Sequence, residues 1–136
     1  MIFATHLSFN GQCEAAFKFY ARVLGGNATM LTYGDSPMAE QVSQEWRVKI
    51  VHATLTINDA AVLAGADVLP EQHLQQQGFY VLLSVEDPAK ARSIFQALAE
   101  NGSIRMPIQQ TFWSPAFGVL VDQFGVPWMV NCEAPQ

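Results

Sequence analysis

Histidine is the side chain whose charge changes nearest neutral pH, and this 136-residue chain has three, His6, His52 and His73. Two of them lie in stretches with a strand-like period of two. From Ile2 to Phe9, the positions of Phe3, Leu7 and Phe9 alternate with those of Ala4, His6 and Ser8. From Arg47 to Ile57, Ala53, Leu55 and Ile57 alternate with His52, Thr54 and Thr56. Each histidine therefore sits on the less apolar face of its strand. If both faces line one cavity, two neutral imidazoles could act as acid and base; otherwise each is a hydrogen-bonded wall residue. A metal held by these two histidines and water would be short of ligands, because zinc sites use three or four protein donors. His73 falls in a glutamine-rich connector and is expected to be exposed. Cys13 opens a helical pattern, where the macrodipole lowers a thiol pKa, yet it has no histidine neighbour in sequence. Cys13 and Cys132 are too isolated for a disulfide framework or zinc knuckle and are read as reduced, partly buried thiols. No Ser-His-Asp order, carboxylate pair or phosphate-cradling loop is legible.

These side chains need elements to hold them, and the hydrophobic pattern supplies a repeated set. After the first strand, Asn10-Gly11 breaks the chain, and a helix is predicted from about Cys13 to Leu24, with Ala16, Phe19, Tyr20 and Val23 on one stripe. Gly25-Gly26-Asn27 stops it, and a short strand from Ala28 to Tyr33 follows. An irregular polar excursion, Gly34 to Trp46, precedes the His52 strand, and Asn58-Asp59 reads as a hairpin turn into a strand from Ala60 to Ala64. A connector from Asp67 to Gly78 then ends, and the pattern restarts. Phe79, Val81, Leu83 and Val85 alternate with Tyr80, Leu82 and Ser84. Asp87-Pro88 opens a helix with Ala91, Ile94, Phe95 and Leu98 on its stripe, and Asn101-Gly102 closes it. Ser103 to Ile108 is a short strand. The stretch Gln110 to Cys132 reads as loop, strand, a tight turn at Asp122-Gln123-Phe124-Gly125, and strand, with Phe117, Val119 and Val121 on the face expected to be buried. The order βαβββ thus occurs twice, with helix positions about 75 residues apart. The expected fold is α+β, a single domain of two modules, about 1–70 and 78–136, forming a mixed sheet with a concave cavity.

Composition narrows the partners. Only 14% of residues are charged while 50% are hydrophobic, which excludes intrinsic disorder. The net charge of −5, with seven scattered Lys and Arg, argues against nucleic acid and anionic membranes. No signal-like or membrane-length apolar run is seen, so a cytoplasmic setting is expected. The four arginines are dispersed, Arg22 and Arg92 on helices and Arg47 and Arg105 far apart, so no clustered anion site is read.

The segments SFNGQCEAAFKFYARVLGG, IVHATLTI, LAENGSIRM, QTFWSPAFG and DQFGVPWMVN, set in a duplicated βαβββ unit, resemble the vicinal oxygen chelate (glyoxalase/bleomycin resistance/dioxygenase) superfamily. Within it they are similar to the PhnB-like branch, the 3-demethylubiquinone methyltransferase-like domains, through the FW-x-x-x-FG and D-x-FG-VPWM pair. The methyltransferase label has no counterpart in the residues, since no GxGxxG turn is present. The resemblance implies metal ligands on the first and fourth strands of each module, positions that fall on Ala4, Ala64, Tyr80 and Met129. None is a usual ligand for zinc, iron, nickel or manganese apart from tyrosine in special cases, so no cofactor is expected.

The expected ligand-binding residues are His6, His52, Thr54, Tyr80, Phe112, Trp113 and Met129, with His6 and His52 the candidates for catalysis. Phe112 and Trp113 stand at the rim, to close over a flat or apolar ligand or to serve as a dimer contact or core lid. Trp128 should alternate away from Met129 into the core. The function expected is capture of a small organic molecule without the usual metal quartet, by a homodimer as the resemblance implies. The alternatives are a metal-dependent isomerase, lyase or dioxygenase using a displaced site, and an interaction module with no small ligand.

Overall fold

Glycine, proline and asparagine set the ends of the regular elements, as their backbone freedom requires. Helix α1 (Cys13–Leu24) stops where Gly25 turns left-handed at φ 77°, its N–H bonded to the Ala21 carbonyl. Helix α2 (Pro88–Ala99) starts with proline in its first turn and Asp87 as cap, the carboxylate accepting from the Ala89 N–H at 3.0 Å. Beyond it Asn101 is left-handed, at φ 59°. The computed structural model describes residues 1–134.

Strands β1 (Thr5–Phe9), β2 (Asn27–Thr32), β3 (Ile50–Ile57) and β4 (Ala60–Asp67) form a four-stranded sheet in the order β1-β4-β3-β2. The pair β1/β4 is parallel and the others antiparallel. Strands β5 (Val81–Val85), β6 (Ser103–Gln109), β7 (Phe117–Val121) and β8 (Pro127–Cys132) repeat this as β5-β8-β7-β6, again with one parallel pair, β5/β8. The chain divides after Leu74 into two compact units, each a βαβββ with its own mixed sheet. The α+β class and the duplication expected from the sequence are both present. Among the described residues no helix is long and apolar enough to cross a membrane.

Each helix lies against one face of its own sheet, and a glycine lets an aromatic ring seat there. In the first unit the register row Leu7–Gly65–Ala53 lies under α1, and a Cβ on Gly65 would stand 2.6 Å from Phe17 Cε1. In the second unit the row Leu83–Val130–Gly118 lies under α2, and a Cβ on Gly118 would stand 2.6 Å from Phe95 Cε2. The two repeats have solved one packing problem with the glycine on different strands.

Two buried carboxylates organise the loops. Asp67, at the end of β4, accepts from the Cys13 N–H through Oδ1 and from the Ile50 N–H through Oδ2, both at 2.9 Å. It thereby caps α1, whose Gln12 makes no side-chain cap bond, and anchors the start of β3. Asp122 closes the β7–β8 turn, its Oδ1 accepting from the Phe124 and Val126 N–H groups while Oδ2 accepts from Trp128 Nε1 at 2.9 Å. Trp128 is accordingly in the core, 1% exposed, as its alternation predicted.

Several boundaries differ from the sequence reading. The segment from Gln44 to Val48 is a 3₁₀ turn with Ser43 as its cap, so β3 begins at Ile50 rather than near Arg47. Strand β4 runs on to Asp67 instead of ending at Ala64, because Ala64, Gly65 and Ala66 pair with β1 despite their weak strand character. Phe79 and Tyr80 precede β5 rather than opening it. On β7 the face under α2 holds Gly118 and Leu120, while Phe117, Val119 and Val121 face the other way. The alternation was right and Val119 is buried as expected, but the helix covers the other face, where Gly118 and Leu120 are buried as well. A glycine reads as neutral in sequence, although here it is the seat for a ring.

Candidate functional site

With one face of each sheet under its helix, the available chemistry lies on the opposite face. On the first sheet, one register row is His6–Ala64–Thr54–Thr29. His52 lies two residues from Thr54 along β3, and its Nε2 is 3.1 Å from Thr54 Oγ1. That hydrogen bond orients the imidazole. Both histidines are exposed. They share a face of the sheet, but β4 runs between their strands, which puts about 10 Å of sheet between them at the usual strand spacing. His73 is half-buried rather than exposed, with its Nδ1 buried and unpartnered among the described residues. The Pro70–Gln72 turn draws it in, the His73 N–H donating to the Pro70 carbonyl.

The second sheet presents a more apolar open face. One row is Leu82–Met129–Val119–Met106, and the next is Ser84–Asn131–Phe117–Gln109. Leu82 is 62% exposed. Asn131 Oδ1 is buried and has no partner among the described residues. From Phe117 an aromatic stack runs outward, with Trp113 at 5.3 Å between ring centroids and Phe112 a further 4.7 Å on, both edge-to-face. Ser114 fixes this loop by donating its hydroxyl to the Cys132 carbonyl on β8 at 2.7 Å. Phe112, at 98% exposed, makes an outer lip. A small pocket of about 190 Å³ includes Phe112 and Trp113. Tyr80 lies at the other end of the sheet, in a pocket of about 350 Å³ with Phe79, Arg105 and the connector glutamines. Met129 occupies the centre between them. Sequence reasoning missed Arg105 and Asn131. Asn131 was within reach, since it shares Met129's alternation in PWMVNC.

The positions that the family resemblance assigns to metal, Ala4, Ala64, Tyr80 and Met129, offer two methyl groups, a phenol and a thioether. This set does not fit a divalent ion that needs imidazole or carboxylate donors. Among the described residues, no three His, Cys, Asp or Glu side chains are grouped to hold one elsewhere.

Cys13 does not have the lowered pKa expected at a helix start. Burial, and secondarily the neighbouring Asp67 carboxylate, push its thiol up to about 12. Desolvation outweighs the helix dipole because the side chain is 0% exposed. The folded chain thus keeps this thiol neutral while the unfolded chain ionises it from its ordinary value of 9.0 upward. The stability contribution is complete below that value and declines as pH climbs toward 12. Urea unfolding across this range should show a Cys13-dependent loss on the order of 1 kcal/mol per pH unit. A Cys13→Ala variant should lack that part of the slope; identical slopes would show that the thiol ionises freely in the fold.

Comparison with known proteins places this geometry. Residues 4–130 match the model of the glyoxalase/bleomycin resistance protein/dioxygenase superfamily. The chain is 33% identical to protein YjdN of Escherichia coli (strain K12), covering 100% of this chain and 98% of that protein. The crystal structure of protein PA1353 from Pseudomonas aeruginosa superposes with a TM-score of 0.88 at 41% identity, with 98% of each chain covered. A PhnB protein from Bacillus cereus shares the fold, with a TM-score of 0.80 at 23% identity over 97% of this chain and 99% of that one. By sequence and by architecture, the chain belongs to the glyoxalase/bleomycin resistance protein/dioxygenase superfamily.

Proposed function

We propose that the protein binds a small organic molecule on the open face of its second sheet and uses no resident metal there. The observation that supports this is the apolar row at Leu82, Met129 and Met106, exposed at Leu82 and Met106 and half-buried at Met129, continued by the Trp113 stack. Such a surface is costly in water and is rimmed here by polar groups at Ser84, Asn131 and Gln109, which suits a ligand with an apolar body and few polar atoms. Met129 and Tyr80 serve as wall, and Phe112 and Trp113 as rim. The open face of the first sheet carries hydrogen-bonding groups of its own, His6, His52 and Thr54. The protein works as a cytoplasmic homodimer.

Thermal shift with neutral planar compounds such as indole, run beside a metabolite library and divalent metals, tests the reading. The melting temperature should rise with ligand and saturate, and Leu82→Asp should remove the effect without lowering the unliganded value by more than a few degrees. If no small molecule shifts the melting temperature, the binding reading fails. Turnover of any substrate that His6→Ala abolishes would replace it with an enzyme.

A further inference from the structure

The end of the second unit holds a site with a charge character opposite to that of the chain. Its pocket, about 350 Å³, is lined by the connector glutamines 75–77, by Phe79 and Tyr80, and by Arg105 and Val121. No acidic side chain lines it. The nearest carboxylate in sequence to that lining, Asp122, is buried and accepts from two backbone N–H groups and the Trp128 indole. Arg105 is exposed and forms no ion pair or hydrogen bond among the described residues. In a protein of net charge −5, an unneutralised guanidinium at a pocket wall is a local reversal of sign. A guanidinium offers a planar fork matched to a carboxylate, and Lys would not give the same two parallel bonds.

The rest of the lining limits what can accompany the anion. Phe79 is half-buried and Tyr80 is 47% exposed, so both rings are available as a flat wall. The glutamine amides donate and accept, and the connector that bears them folds onto the β7–β8 turn. Gln75 Nε2 lies 3.4 Å from where a Cβ on Gly125 would stand. The volume is at the small end for ligand pockets, enough for one ring system.

From this, the geometry points to a small aromatic carboxylate as the ligand class of the Tyr80 end of the binding face, its carboxylate on Arg105 and its ring against Tyr80 and Phe79. The inference rests on the small-molecule reading above and adds the charge of the ligand to it.

Isothermal titration with benzoate and indole-3-carboxylate, against the uncharged benzamide and indole-3-carboxamide, tests the assignment in wild type and Arg105→Met. Both carboxylates should bind at least about tenfold more tightly than their amides, and Arg105→Met should erase that preference. Arg105 is exposed, so the variant is expected to keep its unliganded melting temperature, which is measured alongside. Arg105→Lys should recover only part of the preference, because a point charge lacks the fork. If acids and amides bind alike, or the preference survives Arg105→Met, the carboxylate assignment is wrong while small-molecule binding stands. If neither these nor neutral indole binds, both fall together.

Discussion

Replacing Asp67 with alanine should destabilise the protein by about 3–5 kcal/mol, measured by urea unfolding followed by circular dichroism. The side chain is 1% exposed, and each of its oxygens satisfies a backbone N–H that has no local alternative. One is the first N–H of α1, whose preceding residue provides no cap, and the other opens β3. Removal leaves two buried donors unpaired, each costing about 1–3 kcal/mol, and deletes a negative charge from a helix N-terminus. Asp67→Asn presents one acceptor oxygen instead of two and should lose roughly half as much. A loss below about 1 kcal/mol for the alanine variant would mean that water or a shifted loop satisfies both donors.

Gly118→Val should be nearly as damaging, at about 3 kcal/mol or more, with Gly118→Ala at about 1–3 kcal/mol. The penalty comes from space, since Gly118 is not among the positive-φ glycines. A single added carbon meets Phe95 Cε2 at 2.6 Å and Ile108 Cα at 2.9 Å. The second neighbour is β6 backbone and cannot rotate aside, so β6 must give as well as the ring or the helix that bears it. Shrinking the ring tests the cause. Gly118→Ala combined with Phe95→Leu should cost less than the sum of the single changes by about 0.5–3 kcal/mol. Strict additivity would place the strain elsewhere. The same experiment at Gly65 and Phe17 should give the same sign, because the first unit seats its ring on the neighbouring strand of the equivalent row.

These two sites also mark how far the sequence could be read. Helix ends, hairpin turns and the double βαβββ order were legible because their signals are local. Asn58 and Asp59 take the left-handed conformation, at φ 51° and 65°, that their side chains tolerate in a tight hairpin. Asp87-Pro88 and Gly25 act within one helical turn of where they stand. Asp67 gave no such signal, for its partner Cys13 is 54 residues away and only the parallel pairing of β4 with β1 brings the two together. In sequence it looked like the first residue of a polar connector.

The candidate site divides in the same way. Alternation put His6 on the less apolar face of its strand, His52 and Thr54 on that of theirs, and Met129 opposite Trp128, and the structure keeps each of these arrangements. The rows across a sheet depend on strand order, which alternation does not encode. Strand order separates His6 from His52 by β4, and strand direction and register set Tyr80 and the Trp113 stack at opposite ends of the second sheet.

Sequence by itself determined that this protein is a duplicated βαβββ chain of the glyoxalase superfamily. Composition, periodicity and short motifs are properties of neighbouring residues and survive without a fold. Tertiary structure alone decided which face of β7 meets α2, because a glycine's role depends on the ring that arrives from elsewhere. It also decided that the Cys13 thiol is pushed up rather than down, since burial is a property of everything packed around it. And it brought Arg105 beside Tyr80 and the connector glutamines, residues whose spacing in the chain gives no hint that they line one pocket.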